Sequence, residues 1–147
     1  MAFPSAFRTY IPTSHCIPSH VYGAMLLNEF REVALVRGRK SGKWSFPKGH
    51  GNTNETPLEA SIRELKEETG VDMSCQQPDN RWQTNSGTYF VFCVNGRPEL
   101  EPQDTHEIMD TMWVSLHRLQ HINGNKDITT FCKRVDVEKF IAKNMSR

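Results

Sequence analysis

Residues 58–69, LEASIRELKEET, constrain this chain more than any other segment. They read as a helix. Thr56-Pro57 makes a plausible start, since proline is tolerated in a first turn, and Gly70 is a natural stop. Ala60, Ile62 and Leu65 supply an apolar stripe. At about 100° per residue, Glu64 and Glu68 lie one turn apart on one face, with Glu67 beside them. Carboxylates so placed repel one another. A hard divalent cation removes the repulsion, because Mg²⁺ prefers oxygen ligands and is often shared between carboxylates and phosphates. Arg63 stands four residues before Glu67, close enough to hold a carboxylate in place. Taken alone, ELKEE also suits a solvated surface helix, since Glu and Lys are good helix formers.

The rest of the chain reads as strands and a few helices. Residues 20–27 (HVYGAMLL) and 32–37 (EVALVR) suggest two strands joined as a hairpin by the short NEFR link. Residues 38–51 look like a glycine-punctuated loop with Trp44 and Phe46 inside it. Residues 87–94 are the clearest β run, and 112–114 a short strand. Residues 116–121 begin a helix, and 126–145 form one closing helix. Pro4, Pro12 and Pro18 make residues 1–18 an arm or an edge. This order fits a single α/β domain over residues 1–147.

Composition excludes several classes. A net charge of +1 gives no global attraction to nucleic acid or membrane, so phosphate recognition must come from local clusters. No run approaches a membrane span, and the first residues lack a signal-peptide pattern. Four scattered cysteines without a CxxC pair suit reduced thiols, hence a cytoplasmic protein. His15, Cys16 and His20 lack a fourth ligand at zinc-site spacing and read as ordinary arm residues.

The wider pattern decides how the glutamate helix is read. Gly49, Glu55, Arg63, Glu64, Leu65, Glu67, Glu68, Gly70 and Val71 fit G-x5-E-x7-R-E-U-x-E-E-x-G-U without a mismatch, where U is a bulky aliphatic. From average residue usage, a chance match at a given start is on the order of 10⁻¹⁰. The chain therefore resembles the Nudix hydrolases. The resemblance implies an α/β/α sandwich with a mixed sheet and a loop-helix-loop catalytic motif. It implies a Mg²⁺-dependent pyrophosphohydrolase, with Mn²⁺ as a substitute, in which water attacks phosphorus. It makes Glu64, Glu67 and Glu68 metal ligands, joined by the backbone carbonyl near Gly49. Arg63 becomes an orienter and Glu55 a structural partner across the motif. The general base is either a motif glutamate (Glu64 or Glu67) or a downstream one. Glu107, six residues before Trp113, fits the second pattern and is a further candidate metal ligand. These roles suit phosphoryl chemistry, which needs neutralised oxygens and a positioned nucleophile rather than a covalent enzyme group.

The segment Trp44-Ser-Phe-Pro-Lys-Gly-His narrows the substrate. Lys48 and His50 sit at the mouth of the expected metal site, where cations meet phosphate oxygens. Arg37, Arg39, Lys40 and Lys43 add a basic cluster, and Trp44 and Tyr89 offer faces for a base. Pro-Lys-Gly-His is similar to diadenosine tetraphosphate hydrolases. Pro-Lys-Gly also occurs in diphosphoinositol polyphosphate phosphohydrolases, and Trp-Ser-Phe-Pro-basic-Gly resembles the catalytic domain of mRNA-decapping enzymes. Decapping enzymes usually carry an additional helical domain and a basic RNA-binding extension, neither of which these 147 residues display. The expected partner is thus a small dinucleoside polyphosphate or similar phosphate-rich molecule, with RNA a partner on the decapping branch only. Free (d)NTPs are another enzymatic alternative. A catalytically inactive nucleotide-binding module is the alternative of another class, but such modules usually show decayed motif glutamates.

Overall fold

A computed structural model describes residues 15–145 of the chain. The elements are β1 (Val21–Asn28), β2 (Glu32–Gly38), β3 (Trp44–Ser45), β4 (Lys48–His50), α1 (Pro57–Thr69), β5 (Asn80–Gln83), β6 (Gly87–Val94), β7 (Ile108–Ser115), a 3-10 helix (Leu116–His121), α2 (Lys126–Arg134) and α3 (Val137–Met145). No helix among them is long and apolar enough to cross a membrane.

The strands form one mixed sheet around β1. β1 runs parallel to β6 along its whole length, from Val21↔Gly87 to Asn28↔Val94. β1 and β2 meet next to their connecting turn, at Leu27↔Val33. From there they part. β4 continues the ladder on β1, and β3 continues it on β2. The far edge of β2 pairs with β7. The wedge between β1 and β2 is therefore lined by the two short strands in the segment expected to be a loop. Those strands pair through backbone groups, so the glycines that marked a loop do not forbid them.

Both faces of the sheet are covered, which explains why β1 is apolar without a break. Met25 and Leu27 join Leu35, Phe46, Tyr89, Val91, Ile128, Phe131 and Ile141 beneath α2 and α3. Ala24 and Leu26 join Ala34, Leu65, Phe90 and Phe92 beneath α1. The result is an α/β/α sandwich with a mixed sheet, as expected.

Helix α1 starts and stops where its sequence dictates. The Glu59 N–H donates to Thr56 Oγ1 (3.2 Å), and the Thr56 N–H donates to Glu59 Oε1 (2.9 Å). This reciprocal pair is a capping box, with Pro57 in the first turn. At the other end Gly70 takes the left-handed conformation (φ 80°), and its N–H donates to the Lys66 carbonyl.

Other parts of the fold differ from expectation. The single closing helix is two, because Val135 is extended and Asp136 Oδ1 accepts from the Lys139 N–H to start a new turn. The strand expected at 112–114 extends over Ile108–Ser115, since pairing with β2 recruits polar neighbours. Strand β5 escapes sequence reading because NRWQ is polar on its exposed face. Of the segment read as an arm or edge, residues 1–14 lie outside the described residues. Residues 15–18 form no strand; the Cys16 N–H donates to the Glu55 carbonyl, and the Ile17 N–H to the Tyr22 hydroxyl.

Gly70 and Gly96 provide a matched test. Both are left-handed, but a Cβ at Gly70 would stand 2.6 Å from the Glu101 carbonyl, whereas one at Gly96 meets nothing within 4 Å. Gly96→Ala should cost about 1 kcal/mol from backbone strain alone. Gly70→Ala should cost clearly more in urea unfolding, because the segment around Glu101 must also move. Equal losses would contradict the packing of that segment on the helix end.

Candidate active site

The helix fixes which carboxylates meet. Glu64 and Glu68 lie one turn apart and are both buried, at 8% and 5% exposure. Strand β4 closes over them with backbone. The Lys48 N–H donates to Glu68 Oε1 (3.1 Å). A Cβ on Gly49 would fall 2.2 Å from Glu64 Oε2, so any side chain there would push the Glu64 carboxylate aside. Position 49 needs glycine for close approach, not for an unusual dihedral.

Burial sets the electrostatics. It pushes the Glu64 carboxyl up to about 7, opposed by the nearby Arg63 charge and assisted by the charges of Glu67 and Glu107. It pushes Glu68 up to about 8, opposed by the Lys48 amide and assisted by Glu64 and Glu107. The positive charge near each group offsets only part of this effect.

Arg63 supplies part of that charge. Its Nε donates to Glu55 Oε2 (2.7 Å) and its Nη2 to Glu55 Oε1 (3.0 Å). The same Nη2 donates to the His50 carbonyl (3.1 Å). Its Nη1 reaches Glu64 Oε2 and Glu67 Oε2, each at 3.2 Å. The planar fork thus binds both flanks of the motif at once. Its bidentate bond holds Glu55 below the usual carboxylate range, against the effect of burial. Glu67 is turned toward Arg63 with its side chain 41% exposed, aside from the Glu64–Glu68 pair.

A cavity of about 680 Å³ opens over these groups. Glu64, Glu68, Lys48, Gly49 and His50 line one side. Arg39, Lys40, Ser41 and Lys43 from the β2–β3 turn line another, with His106 and Glu107 beside them. The structure therefore brings together Lys48, His50, Arg39, Lys43, Gly49, Glu64, Glu68 and Glu107 from the residues expected at the site. It leaves Arg37, Trp44 and Tyr89 off the cavity wall. Arg37 donates through Nε to the Gly42 carbonyl and lies 5.9 Å from the Trp44 ring, which packs against the core. Tyr89 is fully buried, and its hydroxyl donates to Asp127, so its ring offers no face for a base. An apolar strand residue with a polar tip is satisfied inside as readily as outside, which is why sequence misplaced it. Ser45, His106 and Asn125 were not expected at the cavity. His106 had a signal in its neighbour Glu107. Asn125, the cap of α2, had none, because its position depends on where that helix docks.

The donor set suits a hard cation. Among the described residues no three His, Cys, Asp or Glu side chains are gathered into a ready-made metal cage. Two buried carboxylates beside the backbone of β4 are nonetheless what Mg²⁺ uses, since it takes one or two carboxylates and leaves positions for water and substrate phosphates. The raised carboxyls agree, because a cation between them would remove the charge that burial penalises.

The family model described as NUDIX domain matches residues 19–134. The m7GpppN-mRNA hydrolase dcap-2 of Caenorhabditis elegans is 30% identical over 159 residues, covering 96% of this chain and 20% of that protein. The m7GpppN-mRNA hydrolase of Saccharomyces cerevisiae is 32% identical over 106 residues, covering 67% of this chain and 11% of that protein. The chain thus spans a fifth or less of the length of either. In fold, the C. elegans Ap4A hydrolase binary complex is similar, with a TM-score of 0.65 at 20% identity over 83% of this chain and 96% of that one.

The buried pair predicts an unusual stability profile. Carboxyls raised from 4.5 to about 7 and about 8 stay protonated in the folded state where the unfolded chain has released its protons. Their contribution is fully present below pH 4.5 and is lost as pH rises through 7 and 8. In chelator, Tm should fall between pH 5.5 and 8.5 by about a few degrees. A divalent cation should restore it mainly at the alkaline end. A flat Tm profile in chelator would contradict the burial of these groups.

Proposed function

The chain belongs to the NUDIX domain family of hydrolases, which act on phosphorus-containing anhydrides, and from that premise we propose that its substrate is two nucleosides joined through a polyphosphate bridge. One observation carries the reading. The same cavity holds two buried carboxylates and the basic side chains of Lys40, Lys43 and Lys48, with His50 beside them, although the whole chain carries a net charge of only +1. A single phosphate does not need so many positive groups, whereas a chain of phosphates does.

The residues divide the work. Glu64, Glu68 and the Gly49 carbonyl would hold a divalent cation, Mg²⁺ or Mn²⁺. When bound, that cation neutralises phosphate oxygens and acidifies water. Glu107, exposed on the facing wall, accepts the proton of the attacking water. Arg63 orients Glu64 and Glu67 and ties both to Glu55. Lys48, His50 and Lys43 contact the bridging phosphates. No motif glutamate is replaced, which favours an enzyme over a nucleotide-binding module.

A second reading has its own support. The relatives named m7GpppN-mRNA hydrolases act, by that name, on a nucleoside–triphosphate–nucleoside bridge at the end of an RNA. The same cavity chemistry serves a free dinucleoside polyphosphate and an RNA cap. The two differ in what continues beyond one nucleoside.

Glu68→Gln should reduce metal-dependent turnover by at least about 100-fold while far-UV circular dichroism stays unchanged. Full activity in that variant would remove the helix from the metal site. A panel of diadenosine tetraphosphate, a cap analogue, capped RNA, a diphosphoinositol polyphosphate and nucleoside triphosphates, with products identified, separates the substrates. Lys48→Ala should raise KM most for the member with most phosphates. An equal effect on all members would argue against a phosphate contact.

A further inference from the structure

Sequence alone suggests that Arg39 contacts phosphate, but its hydrogen bonds point elsewhere. Its guanidinium donates twice to the Thr105 carbonyl, from Nη2 at 3.0 Å and from Nε at 3.3 Å. Its backbone N–H donates to the Glu107 carbonyl at 2.8 Å. Arg39 therefore binds the loop that bears Glu107 at two points, on either side of His106.

That loop is tied at its other end to the metal helix. The N–H groups of Gln103 and Asp104 both donate to the Glu67 carbonyl, at 2.8 and 3.0 Å. Glu67 is in the last turn of α1, where carbonyls have no partner within the helix, so the loop satisfies one of them. Inside the loop, Asp104 Oδ1 accepts from the N–H groups of His106 (3.2 Å) and Glu107 (3.1 Å). The β2–β7 ladder slips out of register between Arg37 and Gly38, just before Arg39. The loop thus depends on these side-chain and backbone ties as it enters β7.

We infer that Arg39 is a positioning residue that straps the Glu107 loop across the cavity from Glu64 and Glu68. The strap rests on the reading that Glu107 acts on the attacking water. Glu107 lines the same cavity as Glu64 and Glu68. An exposed side chain on a loop keeps its alignment only when its backbone is held. The strap has a second effect. Arg39 shares its turn with Lys40 and Lys43, so the cationic wall and the base are carried by one connected unit. Phosphates engaging the turn would bear on the position of Glu107.

Kinetics and hydrogen exchange test this on separate readouts. Arg39→Ala should lower kcat about tenfold with KM within about twofold, as for loss of a group that orients a catalytic one. Backbone amide exchange over residues 104–108 should accelerate, with or without divalent cation. In a Glu107→Gln background the kcat loss should vanish, because the residue it acts through is already disabled. Arg39→Lys keeps the charge but not the fork and should recover little of the rate. Three results would overturn the strap: unchanged exchange in Arg39→Ala, a KM rise that scales with substrate phosphates at constant kcat, or a kcat loss that persists in the Glu107→Gln background. A fully active Glu107→Gln enzyme would instead overturn the role of Glu107, and the exchange rates would still report whether Arg39 holds the loop.

Discussion

The structure turns on two like charges placed under cover. Glu64 and Glu68 share one face of α1, and β4 closes over them with backbone rather than side chains. Burial and mutual repulsion both disfavour their ionised forms. Packing elsewhere must therefore hold them together. Leu65, fully buried between them in sequence, anchors the helix on the sheet, and the capping box and Gly70 fix its ends. Arg63 stitches the two flanks of the motif to the same helix turn. The strain is local, and the two layers of apolar core support it.

The cavity owes its shape to how the sheet divides. β1 and β2 begin as a hairpin and then separate, each taking a short strand as its new neighbour. β4 brings Lys48, Gly49 and His50 to the glutamates, and the β2–β3 turn brings Arg39, Lys40 and Lys43 to the opposite wall. Glu107 completes the circle from a loop that ends on α1. A positive wall and a negative floor then coexist in one space with little effect on net charge.

Much of this was legible residue by residue. The helix limits, the long strands β1, β2 and β6, and the Glu64–Glu68 pair follow from periodicity and capping, which are local properties. Arg63–Glu55 follows from the motif. What sequence misjudged was mostly non-local. Tyr89 looked like an exposed aromatic on a β run, but the docking of α2 places Asp127 against its hydroxyl. Trp44 and Arg37 lie in the basic segment, yet Trp44 packs on the core and Arg37 turns back to Gly42. The break at Val135–Asp136 was local and readable, since an aspartate three residues before Lys139 is an ordinary cap.

The sequence by itself determined the chemistry of the helix. The spacing of Glu64 and Glu68, the glycine at 49 and the arginine at 63 follow from a 3.6-residue period and from the sizes of side chains. Tertiary structure decided which charged groups oppose one another. Arg39 and Glu107 are 68 residues apart in the chain, and nothing local tells either where the other lies. Their meeting depends on the antiparallel pairing of β2 with β7 and on the helix-end carbonyl that anchors the intervening loop. Hydrogen bonds between distant backbone segments leave no periodic trace in a sequence, so a strap of this kind becomes visible only in the folded chain.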